Sequence, residues 1–107
     1  LHRVWIEPIE VFEDDQRYVV VKDNEDFTVK CKGNVQGLGS TFFIGNETVV
    51  TSKLRRQSYE LMNTFTDEHH LNTIKCSYTT ETGEIMSEAL IIFVLSEYNS
   101  IKDISDM

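Results

Sequence analysis

The sequence predicts an all-β domain, a two-sheet β-sandwich pinned by one inter-sheet disulfide, and three observations carry that prediction. Apolar residues recur with the strand period of about 2 rather than the helical ~3.6, and turn residues interrupt the chain about every eight to twelve positions. The third is the placement of the only two cysteines, Cys31 and Cys76. In Phe27-Thr28-Val29-Lys30-Cys31-Lys32 the residues Phe27, Val29 and Cys31 share one face. In Asn72-Thr73-Ile74-Lys75-Cys76-Ser77-Tyr78 the residues Ile74, Cys76 and Tyr78 do the same. Thr28, Lys30, Lys32, Thr73, Lys75 and Ser77 then face water. Each cysteine is thus presented inward among apolar neighbours, as two sheets packed face to face require, and the two read as the ends of one pin.

The elements follow in order. Val4-Trp5-Ile6 reads as a first strand, and Pro8, the only proline, lacks the N–H of a ladder and suits an edge or a strand start. Trp5 reads as a core or inter-domain plug. After the polar turn Asp14-Asp15-Gln16, the β-branched run Tyr18-Val19-Val20-Val21 reads as a second edge segment. The Cys31 strand spans residues 27–32, and the glycine-rich residues 33–39 read as a connection. Residues 40–44 form the next apolar strand, closed by the turn pair Gly45-Asn46. Shorter, more polar strands at 48–51 and 54–58 precede one at 59–65, and Thr66-Asp67-Glu68-His69-His70 is a polar turn into the Cys76 strand. Residues 79–84 read as a hairpin loop and 85–95 as the last and longest strand. Residues 1–95 therefore read as one domain and 96–107 as a linker or C-terminal tail.

The bulk properties agree. A chain of 107 residues buries about 60% of its unfolded surface, enough for one modest core. A hydrophobic content of 40% excludes disorder, and the longest apolar run, residues 89–95, is strand-length, so no direct membrane insertion is expected. The chain opens at Leu1 without a charged-then-apolar leader, which reads as a piece excised from a longer polypeptide. A net charge of −8 argues against nucleic acid or heparin, which call for clustered Lys and Arg. The one basic cluster, Lys53-Leu54-Arg55-Arg56, reads as a solvated face.

With these strands placed, the chain resembles the immunoglobulin superfamily, most closely its C2- or I-type modules from cell-surface receptors and adhesion proteins. Asp26-Phe27-Thr28-Val29-Lys30-Cys31 resembles the family's strand B, and Asn72-Thr73-Ile74-Lys75-Cys76 its strand F. The cysteine spacing matches that family's inter-sheet disulfide. Two departures stand out. Thr41-Phe42-Phe43-Ile44 occupies the place of the family's strand-C tryptophan, which puts Phe42 against the disulfide. Ile74, Asn72 and His70 take the tyrosine, glycine and aspartate positions of the family's strand-F signature, so no tyrosine corner is expected. The resemblance implies an immunoglobulin-like two-sheet β-sandwich and a recognition face built from its C, F and G strands. Here that face carries Lys75, Ser77, Thr79 and Glu88, with a binding anchor among Phe43, Lys75 and Ser77.

Catalysis needs a nucleophile with a base in reach, paired carboxylates in a pocket, or metal ligands at defined spacing, and no such constellation is visible, so the chain reads as non-catalytic with no cofactor. Asp67-Glu68-His69-His70 comes nearest to a metal set, but adjacent histidines on a strand point to opposite faces. The acidic groups at 14–15 and 23–26 could gather calcium and read instead as solvated turns. Asn46-Glu47-Thr48 is an acceptor for N-linked sugar at a surface turn. With a disulfide it points to the secretory pathway, hence to an extracellular location, cell-surface or secreted. The expected function is protein–protein recognition, with a protein ligand or neighbouring immunoglobulin-like modules as partners. Two rivals remain: an intracellular muscle-type structural module with reduced cysteines, and a secreted decoy domain that captures a cytokine or growth factor.

Overall fold

A computed structural model describes residues 1–100; the expected tail at 96–107 lies outside the described residues from 101 onward. The chain is all-β: β1 (Val4–Glu7), β2 (Glu10–Val11), β3 (Arg17–Lys22), β4 (Asp26–Ile44), β5 (Glu47–Ser52), β6 (Arg56–Thr64), β7 (Thr73–Thr80) and β8 (Ile85–Leu95), with one 3-10 turn at Asp67–His69 before β7. The strands form one curled hydrogen-bonded sheet in the order β1-β4-β7-β8-β3-β2, with β5 and β6 also bonded to β4.

The curl comes from β4. Its 19 residues run unbroken through 33–39, where a connection was expected. The first half bonds to β1 and β6, and the second half to β7 and β5. Register shifts at Lys32/Gly37 and Gly37/Gly39 mark the bend. The glycines serve close approach. A Cβ on Gly33 would stand 2.7 Å from the Tyr78 ring and one on Gly37 2.8 Å from it. Tyr78 lies beneath the bend, its hydroxyl donating to the Val35 carbonyl at 2.6 Å with the Arg56 carbonyl at 3.2 Å. Glycine in a strand pattern here means a bend over a neighbouring ring, not the end of the strand.

The interior of the curl holds the core. Cys31 on the first half of β4 is bonded to Cys76 on β7, with Cα atoms 6.3 Å apart. Phe42 is the cross-strand neighbour of Cys76 and is buried with it, as are Val29 and Ile74. Val4 and Ile6 take the inward positions of β1, so Trp5 does not fill the core, one of the two places expected for it. It lies half-buried on the outward side, its indole N–H donating to Glu7 at 3.0 Å with Arg3 stacked 5.2 Å above the ring. Hydrogen bonds from Lys32 and then from Trp5 hold the Glu7 carboxyl below its ordinary range.

β3 is not a free edge segment. It pairs parallel with β8, with Val19 opposite Ile92 and Val21 opposite Val94, and β2 covers its other side. The β8 run Leu90-Ile91-Ile92-Phe93-Val94-Leu95 lacks alternation because both of its faces are covered. On the outer face Tyr18 and Phe93 form a second buried cluster with Phe12, Val20 and Ile91 packed against them, and the His70 ring stands 4.7 Å from Phe93.

Tyr18 donates a short hydrogen bond to Asp14, and that bond, followed by burial, pushes its hydroxyl up to about 12. Burial is also the leading cause of the upward shifts of Tyr59 and Tyr78. Folding thus favours the neutral phenol. Its contribution is complete below the unfolded tyrosine value of about 10 and is lost as pH rises through the folded value. Stability should therefore fall between about pH 10 and 12, with the tyrosinate absorbance of the folded protein lagging that of the urea-unfolded chain. Coincident titrations of the two states would contradict this.

Candidate binding face

The turn that closes β4 sets the geometry of the outer face. Ile44 pairs with Glu47 across the two-residue loop Gly45-Asn46. Gly45 has φ +59° and Asn46 does not share it, the pattern of a type II′ turn with glycine first. That turn sets Thr48 opposite Phe43, and a one-residue bulge between Phe42 and Phe43 then shifts the rest of β5 so that Val50 faces Phe42 and Thr51 faces Thr41.

Because facing residues in a ladder share a side, three rows can be read across the strands. Phe42 and Cys76 point inward together. One residue on, Phe43 faces Lys75 and Lys75 faces Ala89. In the next outward row Thr41 faces Ser77 and Ser77 faces Ser87. The expected anchor residues Phe43, Lys75 and Ser77 therefore lie on one surface. The Lys75 ammonium stands 5.4 Å from the Phe43 ring centroid, a cation–π pair. Lys75 is exposed, while Phe43 and Ser77 are half-buried.

One expected member belongs elsewhere. Glu88 faces Cys76 in the β7–β8 ladder, so it lies on the inward side near the end of the curl. There it meets Arg17 at 3.0 Å. Thr79 keeps its outward place, paired with the exposed Ile85.

Alanine, serine and threonine surround one aromatic–cation pair, and an open depression of about 230 Å³ lined by Thr41, Ser77 and Thr79 adjoins it toward β5. A second open depression, about 570 Å³, lies around the β4–β5 turn, lined by Ile44, Asn46, Val49, Asn63, Glu68, His69 and Asn72. Both depressions are open to solvent, whereas small ligands take concave, mostly enclosed sites. Asn46, the sugar acceptor, is exposed at the rim of the second depression.

The two histidines once weighed as metal ligands do not converge. His69 accepts the Thr66 backbone N–H at 3.0 Å and packs on Phe65, while His70 accepts the Val94 N–H at 3.1 Å beside Phe93. Neither the outer cluster around Phe93 nor these histidine contacts was visible in the sequence. The unbroken apolar run in β8 was the available signal.

Compared with known proteins, the chain matches no family model and no curated protein sequence.

Proposed function

We propose that the chain is an immunoglobulin-like recognition module of an extracellular receptor or adhesion protein, non-catalytic, which binds a protein partner through its outer face. The observation that carries this reading is the Phe43–Lys75 pair, held outward one residue from the buried Phe42 and Cys76. The rigid disulfide-bonded core beneath gives the pair a fixed position, as a hot spot requires.

The strand connections support the fold half of the reading. β1, the first half of β4 and β6 make one group, and β3, β8, β7, the second half of β4 and β5 make the other. A disulfide joins the two. Taken as two layers, they follow the immunoglobulin order of strands, with the family's B and C strands run together in β4. The disulfide and the exposed sequon at Asn46 support passage through an oxidising, glycosylating compartment. No helix among the described residues is long and apolar enough to cross a membrane.

The test is a screen of the multimerised chain against displayed cell-surface and secreted proteins. A partner so found should lose at least about 2 kcal/mol of affinity when Lys75→Glu is combined with Phe43→Ala, with the urea midpoint of the domain little changed. Undiminished binding by the double variant would move recognition to another surface. Absence of any partner would favour a spacer between neighbouring modules.

A further inference from the structure

The outer edge of β5 carries an interaction of its own. β5 is bonded to β4 on one side, and among the described residues no strand pairs with its other side. Residues 47–51 are exposed throughout, and the adjacent Val49 and Val50 keep 39% and 37% of their surface in water. Natural edge strands are guarded by proline, lysine within the strand, inward charge, a β-bulge or a covering segment. Glu47-Thr48-Val49-Val50-Thr51-Ser52 has no proline, lysine, inward charge or covering segment, and its one guard is the one-residue bulge at Val49, opposite Phe42/Phe43. It is a β-branched strand with an open row of backbone donors and acceptors.

Its charge is polar along its length. Glu47 opens the strand and Lys53 follows it, with Arg55 and Arg56 beyond. We infer that β5 is a self-association edge, pairing antiparallel with β5 of a second copy about a two-fold axis between Val49 and Val50. In that register each Val49 lies against the second copy's Val50 and each Thr48 against its Thr51. Glu47 meets the second copy's Ser52 and Lys53, and the symmetry makes this contact twice. A parallel pairing would set Glu47 against Glu47 and Lys53 against Lys53. On a chain of net charge −8, general self-association is opposed by repulsion, so a contact that joins opposite ends is the one that survives. One strand pair buries less than a standard interface, so the dimer is concentration-dependent. It leaves the Phe43–Lys75 face uncovered, does not depend on what that face binds, and belongs to the chain whose Asn46, next to Glu47 and facing the second copy's Lys53, carries no sugar.

Sedimentation velocity over a concentration series, on the full chain made without N-glycosylation, tests this. A monomer–dimer equilibrium is expected. Val49→Lys with Val50→Lys should abolish the dimer. Glu47→Lys should weaken it at least about tenfold, and adding Lys53→Glu should restore it. All these positions are at the surface, and circular dichroism with urea midpoints verifies that the variants stay folded. The inference is overturned by a monomer at every concentration, by a dimer indifferent to the valine changes, by a charge swap that fails to restore, or by a dimer that Lys75→Glu dissolves instead.

Discussion

Phe42→Ala is expected to lower unfolding free energy by about 3–5 kcal/mol, while Phe43→Ala, one position along, costs about 1 kcal/mol. The contrast tests the register directly. Phe42 is almost wholly buried and faces Cys76 across the β4–β7 ladder, so truncation leaves a cavity against the disulfide with Val29 and Ile74 around it. Close-packed neighbours relax only partly, and the residual void adds to the lost transfer energy. Phe43 has water on one side, and its loss removes mainly partial burial and the contact with Lys75. Urea melts of the two variants measure both values. A reversed order would mean that the inward and outward faces of β4 are interchanged.

That register was legible because alternation around each cysteine is strict. Val29-Lys30-Cys31 and Ile74-Lys75-Cys76 can place only one side in the core, and a one-residue slip would bury the lysines. What lay between was less legible. Glycine at 33, 37 and 39 signals a turn by local chemistry and a bend by tertiary packing, and what decides for the bend is the Tyr78 ring against Gly33 and Gly37 and the Ser52 carbonyl against Gly39. Glu88 illustrates another limit. Its neighbours alternate, yet its place depends on pairing with Cys76, which β8 alone cannot specify. The core place expected for Trp5 fails on parity, since Val4 and Ile6 already occupy the inward positions of β1. The outer face was more legible: once Phe42 is inward, Phe43, Lys75 and Ser77 follow by geometry, and only the cation–π contact of Phe43 with Lys75 needed coordinates.

Replacing both cysteines with alanine should cost about 4 kcal/mol, a large share of the ~5–15 kcal/mol that holds a domain folded. Cys31 and Cys76 are separated by 45 positions, and freeing a loop of that size returns the corresponding entropy to the unfolded chain. Alanine is the right replacement because both sites are fully buried and serine would bury hydroxyls that need partners. Since the cross-link acts on the denatured ensemble, the variant should also unfold with a steeper urea dependence, its uncrosslinked chain exposing more surface. The native protein, alkylated in denaturant without reductant, should gain no mass; two modified thiols would remove both the pin and the extracellular reading. Combined with Phe42→Ala the losses should not add. The phenyl ring packs where the cystine sits, so each change relieves part of what the other disrupts, with a coupling of about 0.5–3 kcal/mol. Strict additivity would place Phe42 away from the bridge and contradict its pairing with Cys76.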